Sequence, residues 1–160
     1  MKNIQIISGI AFIIVFAFCT NTACKTKSKL SKDNISTSID TVTAKDFFNK
    51  GSKELDLKNY QEALKYFNKS IEIDKESGET YAFRGMAKYH LKDFKGAIAD
   101  YDNAIKLIPE YGEVYDQRGV AKGELGDKVG ACEDWNKAYE LGFNKAFKMI
   151  EKFCIEEEKK

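Results

Sequence analysis

The stretch GETYAFRGMAKYHLKDFKGAIADYDNAIKLIPEY, Gly78–Tyr111, decides the reading of this chain, because its neighbours on both sides repeat it at a spacing of 34 residues. Tyr81, Gly85, Phe94, Ala97, Tyr101 and Ala104 align on the N-terminal side with Phe47, Gly51, Tyr60, Ala63, Phe67 and Ser70. On the C-terminal side they align with Tyr115, Gly119, Lys128, Ala131, Trp135 and Ala138. Asn59, Asp93 and Asp127 keep the same phase just before the second half of each unit. A fixed period of this length marks a stacked-repeat architecture.

Within the quoted stretch, apolar residues fall at Tyr81, Ala82, Met86, Tyr89 and Leu91, then at Phe94, Ala97, Ile98, Tyr101, Ile105 and Leu107. That spacing is helical and lacks the alternation of a strand, so each unit reads as two antiparallel helices. Asp93 stands where its carboxylate can accept from the open amides of a second helix. Asn59 with Glu62 and Thr43 with Asp46 both read as capping boxes. Pro109 has no amide hydrogen and ends the second helix of its unit. Gly51, Gly85 and Gly119 fall inside helices, where each costs about 1 kcal/mol relative to alanine. A cost that recurs predicts a close approach, here by the facing helix that carries Ala63, Ala97 or Ala131.

These residues resemble the tetratricopeptide repeat family. An aromatic is followed four positions on by glycine; an aromatic or its substitute precedes an alanine by three; a second aromatic and a small residue follow, and Pro109 closes the middle unit. The resemblance implies an all-α fold, a right-handed α-solenoid of three helix hairpins at 44–77, 78–111 and 112–145. A capping helix over 144–157 completes a repeat domain of 44–157, because a stack must close its last face with a partly polar element. Asn144 would cap that helix and Phe147, Ile150 and Cys154 would form its apolar stripe. Some positions depart from the family pattern. Lys50, Arg84 and Arg118 stand where leucine is usual, and Glu54, Lys88 and Lys122 replace a frequent tyrosine. Lys128 replaces an aromatic, so the third turn is expected to pack less tightly.

In the family resembled, the first helix of each unit lines a concave groove that holds a peptide. Mapped here, that wall carries Phe48, Ser52 and Leu55, then Ala82, Phe83, Met86, Tyr89 and His90, then Asp116, Gln117, Val120 and Glu124. Phe83 and Tyr89 serve either that wall or the packing between units. One subgroup grips a C-terminal carboxylate with lysine, asparagine and arginine. The matching places here hold Phe48, Ser52, Phe83, Glu113 and Gln117, with no cation, so that ligand is disfavoured. An apolar floor with an acidic far end suits a peptide with hydrophobic anchors and a basic residue. The implied function is a non-enzymatic protein-binding module; the alternative is an accessory or regulatory subunit of an envelope enzyme or assembly that docks through its convex face.

The remaining sequence is consistent with this. At 160 residues, 43% apolar and net charge +1, the chain fits one domain with appendages and has no nucleic-acid signature. His90 is the single histidine, so no acid–base pair or triad can be nominated. No phosphate loop or metal-ligand spacing is present, and neither cofactor nor metal is expected. Glu72, Asp74 and Glu76 form an acidic run between units, read as a solvated face.

Residues 1–23 have the form of a signal peptide: Lys2, then an apolar run Ile4–Phe18 that is short for a membrane span. Thr22-Ala23-Cys24 resembles a bacterial lipoprotein cleavage site, with Cys24 taking the lipid; Asn21 departs from the usual aliphatic residue. The expectation is a membrane-anchored envelope protein facing the periplasm, with plain cleavage to a soluble periplasmic or secreted form as the alternative. Residues 24–43 form a basic linker rich in Lys, Ser and Thr, too poor in apolar groups to fold. Cys132 and Cys154 lie at one level of a predicted helical hairpin. They are either a disulfide, which export permits, or two packed thiols.

Overall fold

A computed structural model describes residues 42–155. The expectations for the signal peptide, Cys24 and nearly all of the linker, and for residues 156 and 157 of the cap, lie outside these residues. Seven α-helices follow one another, with no strand among the described residues. They are α1 Ala44–Asp56, α2 Tyr60–Ile73, α3 Gly78–His90, α4 Phe94–Leu107, α5 Gly112–Glu124, α6 Lys128–Glu140 and α7 Phe147–Phe153. Each packs chiefly on its neighbours in sequence, and the first helices of consecutive units also touch, α1 with α3 and α3 with α5. This is an all-α solenoid of helix hairpins.

Local signals start and stop the helices. Thr43 and Asp46 form the reciprocal capping box, and Ser77, Asp93 and Asp127 cap α3, α4 and α6 through their side chains. Asn59 does not cap α2; its amide donates to Glu54 at 2.8 Å, so the expected box with Glu62 is absent. The turn inside each hairpin needs one left-handed residue, supplied by Lys58, Lys92 and Gly126 at φ 62°, 66° and 81°. Glycine is the low-cost choice there, and the first two units carry lysine instead.

The core repeats with the sequence. A Cβ on Gly51, Gly85 or Gly119 would lie 2.6, 2.7 or 2.8 Å from the ring of Phe67, Tyr101 or Trp135. The close approach predicted at these glycines is therefore real, but the aromatic ring of the second helix fills the space. Ala63, Ala97 and Ala131 are fully buried nearby.

The departures at the leucine and tyrosine positions build an ion trio. Arg84 donates from Nε and Nη2 to both oxygens of Asp100, at 2.8 and 2.6 Å, and Lys88 Nζ lies 2.8 Å from the same carboxylate. One unit on, Arg118 and Lys122 hold Asp134 in the same way, at 2.9, 2.6 and 2.9 Å. Each arginine also reaches back to the preceding unit, Arg84 to Asn68 and Arg118 to Asp102. Asp100 and Asp134 are only 2% and 3% exposed. Hydrogen bonding to Asp100 holds the Arg84 guanidinium above its ordinary range. Burial pulls Arg118 down, but its bonds to Asp134 and Asp102 outweigh that and raise it. The first unit has Lys50 and Glu54 with Tyr66 in place of the aspartate, and so has no trio.

The cap differs from its predicted form. Asn144–Ala146 is a 3₁₀ turn without a side-chain cap, and α7 ends at Phe153. Phe147 is 42% exposed and packs on Tyr139, so it leaves the predicted stripe; Ala146 and Ile150 join the buried cluster that holds Trp135, and Met149 packs against it. A disulfide joins Cys132 of α6 to Cys154, with Cα atoms 5.8 Å apart and a sequence separation of 22. No described helix is long and apolar enough to cross a membrane.

Asp134→Ala should cost about 3–5 kcal/mol, because it strands two partly buried cations. Glu62→Ala, which loses only an exposed pair with Lys65, should cost no more than about 0.5 kcal/mol. Urea denaturation compares the two. Cys154→Ser should lower stability by about 3 kcal/mol through the freed loop of the unfolded chain, and reductant should do the same to the parent in the same assay.

Candidate binding groove

The residues nominated from the sequence sit on α1, α3 and α5, the first helices of the three units. The hairpin turns and glycine–ring contacts set these helices side by side. Tyr89 on α3 reaches α5, donating from its hydroxyl to Glu124 at 3.4 Å. Burial comes first, then the Glu124 charge, in raising the Tyr89 phenol above its usual range.

The nominated residues divide into two groups. Met86, Tyr89, Asp116, Gln117 and Val120 are half-buried on α3 and α5, where Met86, Tyr89 and Val120 also pack against the core. Burial, then Glu113, pushes the Asp116 carboxyl above the usual carboxylate range, with Lys145 acting the other way. The others are committed to packing. Ala82 is only 4% exposed within the cluster of Ala97, Tyr101, Val114 and Ala121, so it is not a lining residue. Its methyl lies where units two and three meet. Phe48 and Phe83 form an edge-to-face pair at 5.1 Å and both contact Phe67 at 6.0 and 6.2 Å. They close the junction of units one and two and offer a ligand only what remains of their half-exposed faces. The Ser52 Oγ is buried, so its hydroxyl is withdrawn from a ligand. His90 stacks on Tyr60 with centroids 4.5 Å apart.

Sequence reasoning missed two features. Asp100 and Asp134 drew no notice because the ion trio joins residues 16 apart across a hairpin. Their recurrence at the 34-residue period, in step with Arg84 and Arg118, was the signal available. The second is a cleft of about 350 Å³ between α5, α6 and α7, floored by Trp135. The exchange of an aromatic for Lys128 pointed to it. Among the described residues, no three His, Cys, Asp or Glu side chains gather as a metal-holding group.

A family model described as tetratricopeptide repeat matches residues 47–77 and 78–111. A search of curated proteins finds no match. Among solved structures, the first TPR of Spaghetti (RPAP3) bound to the HSP90 peptide SRMEEVD is similar at TM-score 0.68 and 27% identity, over 73% of this chain and 94% of that one. The first TPR domain of human RPAP3 gives 0.67 and 27%, over 70% and 90%. The Arabidopsis OM64 TPR domain gives 0.66 at 24% identity, over 69% and 92%, a likeness of fold alone. With the repeat matched in the first two units and its phase carried through the third, this chain carries tandem tetratricopeptide repeats.

Proposed function

We propose that this protein is a non-enzymatic interaction module that holds a peptide segment of another protein against the wall formed by α1, α3 and α5. The observation that carries this reading is the row of half-buried Met86, Tyr89, Gln117 and Val120 on adjoining first helices. Similarity to a TPR domain bound to an HSP90 peptide supports it. That peptide, SRMEEVD, is rich in acidic residues. The wall here carries Asp116 and Glu124 with Glu113 nearby, so the ligand proposed is of the opposite kind, with apolar anchors and basic charge.

The module is tethered in the cell envelope through a lipid on Cys24, facing the periplasm. Support comes from the apolar run Ile4–Phe18 ahead of Thr22-Ala23-Cys24. The Cys132–Cys154 disulfide adds to it, since such bonds persist in oxidising compartments.

Peptides selected from a displayed random library should carry large apolar residues beside lysine or arginine. Met86→Glu should abolish their capture at a stability cost of about 1–2 kcal/mol, whereas Trp135→Ala should cost about 3–5 kcal/mol through the cavity it leaves. A convex-face change, Asn103→Glu, should leave capture intact. If Met86→Glu captures as well as the parent, the groove assignment fails and convex docking takes its place. Mass spectrometry of the membrane fraction should find an acylated Cys24, and Cys24→Ser should move the protein to the soluble fraction. Unchanged membrane retention of that variant would overturn the tether.

A further inference from the structure

Two neighbouring positions of the repeat lose their rings in the third unit. In the second unit, Tyr89 and Phe94 pack against each other with centroids 5.4 Å apart. The residues 34 positions later are Gly123 and Lys128. Between them opens the cleft of about 350 Å³, walled by Val120, Met149 and Phe153 over the Trp135 indole. Trp135 is 3% exposed and stacks on Phe153 at 5.6 Å. A Cβ on Gly123 would meet only the far edge of the indole, at 3.9 Å, so no side chain of α5 fills the space at that point. The volume lies within the range of ligand sites. What the neighbouring unit places in the corresponding space is a pair of aromatic rings.

Charge narrows the occupant further. Glu124 and Lys128 both border the cleft, and Glu124 accepts the Tyr89 hydroxyl at 3.4 Å. Glu113 and Asp116 lie on the same helix as Glu124, so the wall leading to the cleft is acidic. We infer that this cleft receives an aromatic side chain of the bound peptide, next to a basic residue that pairs with Glu124. The inference rests on the groove reading above and gives it a specificity pocket. The disulfide has a place in it, because Cys154 fastens α7, which carries two of the walls, to α6. Ring-on-ring contact with Phe153, 43% exposed beside the buried Trp135, supplies the selectivity for an aromatic.

Calorimetric titration of the purified 160-residue chain with three pentapeptides tests this: Ala-Lys-Phe-Lys-Ala, Ala-Lys-Ala-Lys-Ala and Ala-Glu-Phe-Glu-Ala. The first should bind at least about tenfold more tightly than the second, as burial of one ring requires, and more tightly than the third, whose glutamates would meet Glu124. The double variant Gly123→Tyr/Lys128→Phe restores the rings of unit two, stays folded by circular dichroism and should lose that advantage. Glu124→Lys should reverse the preference between lysine and glutamate flanks while keeping the preference for phenylalanine. Equal binding of the phenylalanine and alanine peptides by the parent overturns the pocket. So does undiminished binding by the ring-filled variant. If Met86→Glu still abolishes binding in that case, the groove reading survives alone; if it too has no effect, both fall.

Discussion

The contact between a helix glycine and an aromatic ring sixteen residues later sets the geometry of every hairpin in this protein. Gly51, Gly85 and Gly119 leave less than 3 Å between a notional Cβ and the rings of Phe67, Tyr101 and Trp135. A side chain at any of them would force the two helices apart. The helical propensity lost at each glycine, about 1 kcal/mol, is small beside the roughly 1.5–3 kcal/mol gained by burying a large apolar side chain. Because the contact recurs at one period, the two helices of each hairpin pack alike, and the first helices of consecutive hairpins touch. The wall proposed for binding rests on those helices.

A second repeated device is polar. Asp100 and Asp134 are buried, and each is held by an arginine and a lysine from the facing helix. Taking such charges out of water costs several kcal/mol, so the trio adds little net stability over an apolar core. Its geometry does something else. The arginine fork bridges the second helix of its own unit and that of the preceding one, through Asn68 or Asp102. The trio thereby ties the stacking of one unit on the next to a defined register. The first unit, with no predecessor among the repeats, has none.

The third unit is where the pattern relaxes. Its hairpin turn has glycine at the left-handed position, and Gly123 and Lys128 stand in place of the ring pair. The following helix is a short cap held by a disulfide. These changes fall together at one end of the wall, and they convert a packed junction into a cleft above Trp135.

Much of this was legible in the sequence. The period of 34 residues, the helical spacing of apolar residues and the caps at Thr43, Asp93 and Asp127 determine the helix count and hairpin order, because they are local and repeat. The proposed wall is a set of positions selected by helix phase, Met86 on α3 and Gln117 and Val120 on α5. Tertiary structure decided what each position does. Ala82 went to the core and Phe48 and Phe83 to a junction because their exposure depends on how closely the next unit approaches, a distance no single helix encodes. Asn59 turned to Glu54 because two side chains were available to it and the folded turn chose one. The ion trios and the Trp135 cleft arise only when residues far apart in the chain meet. Helix propensity and phase act within a few residues; burial, ion pairing and cavities depend on the stack as a whole.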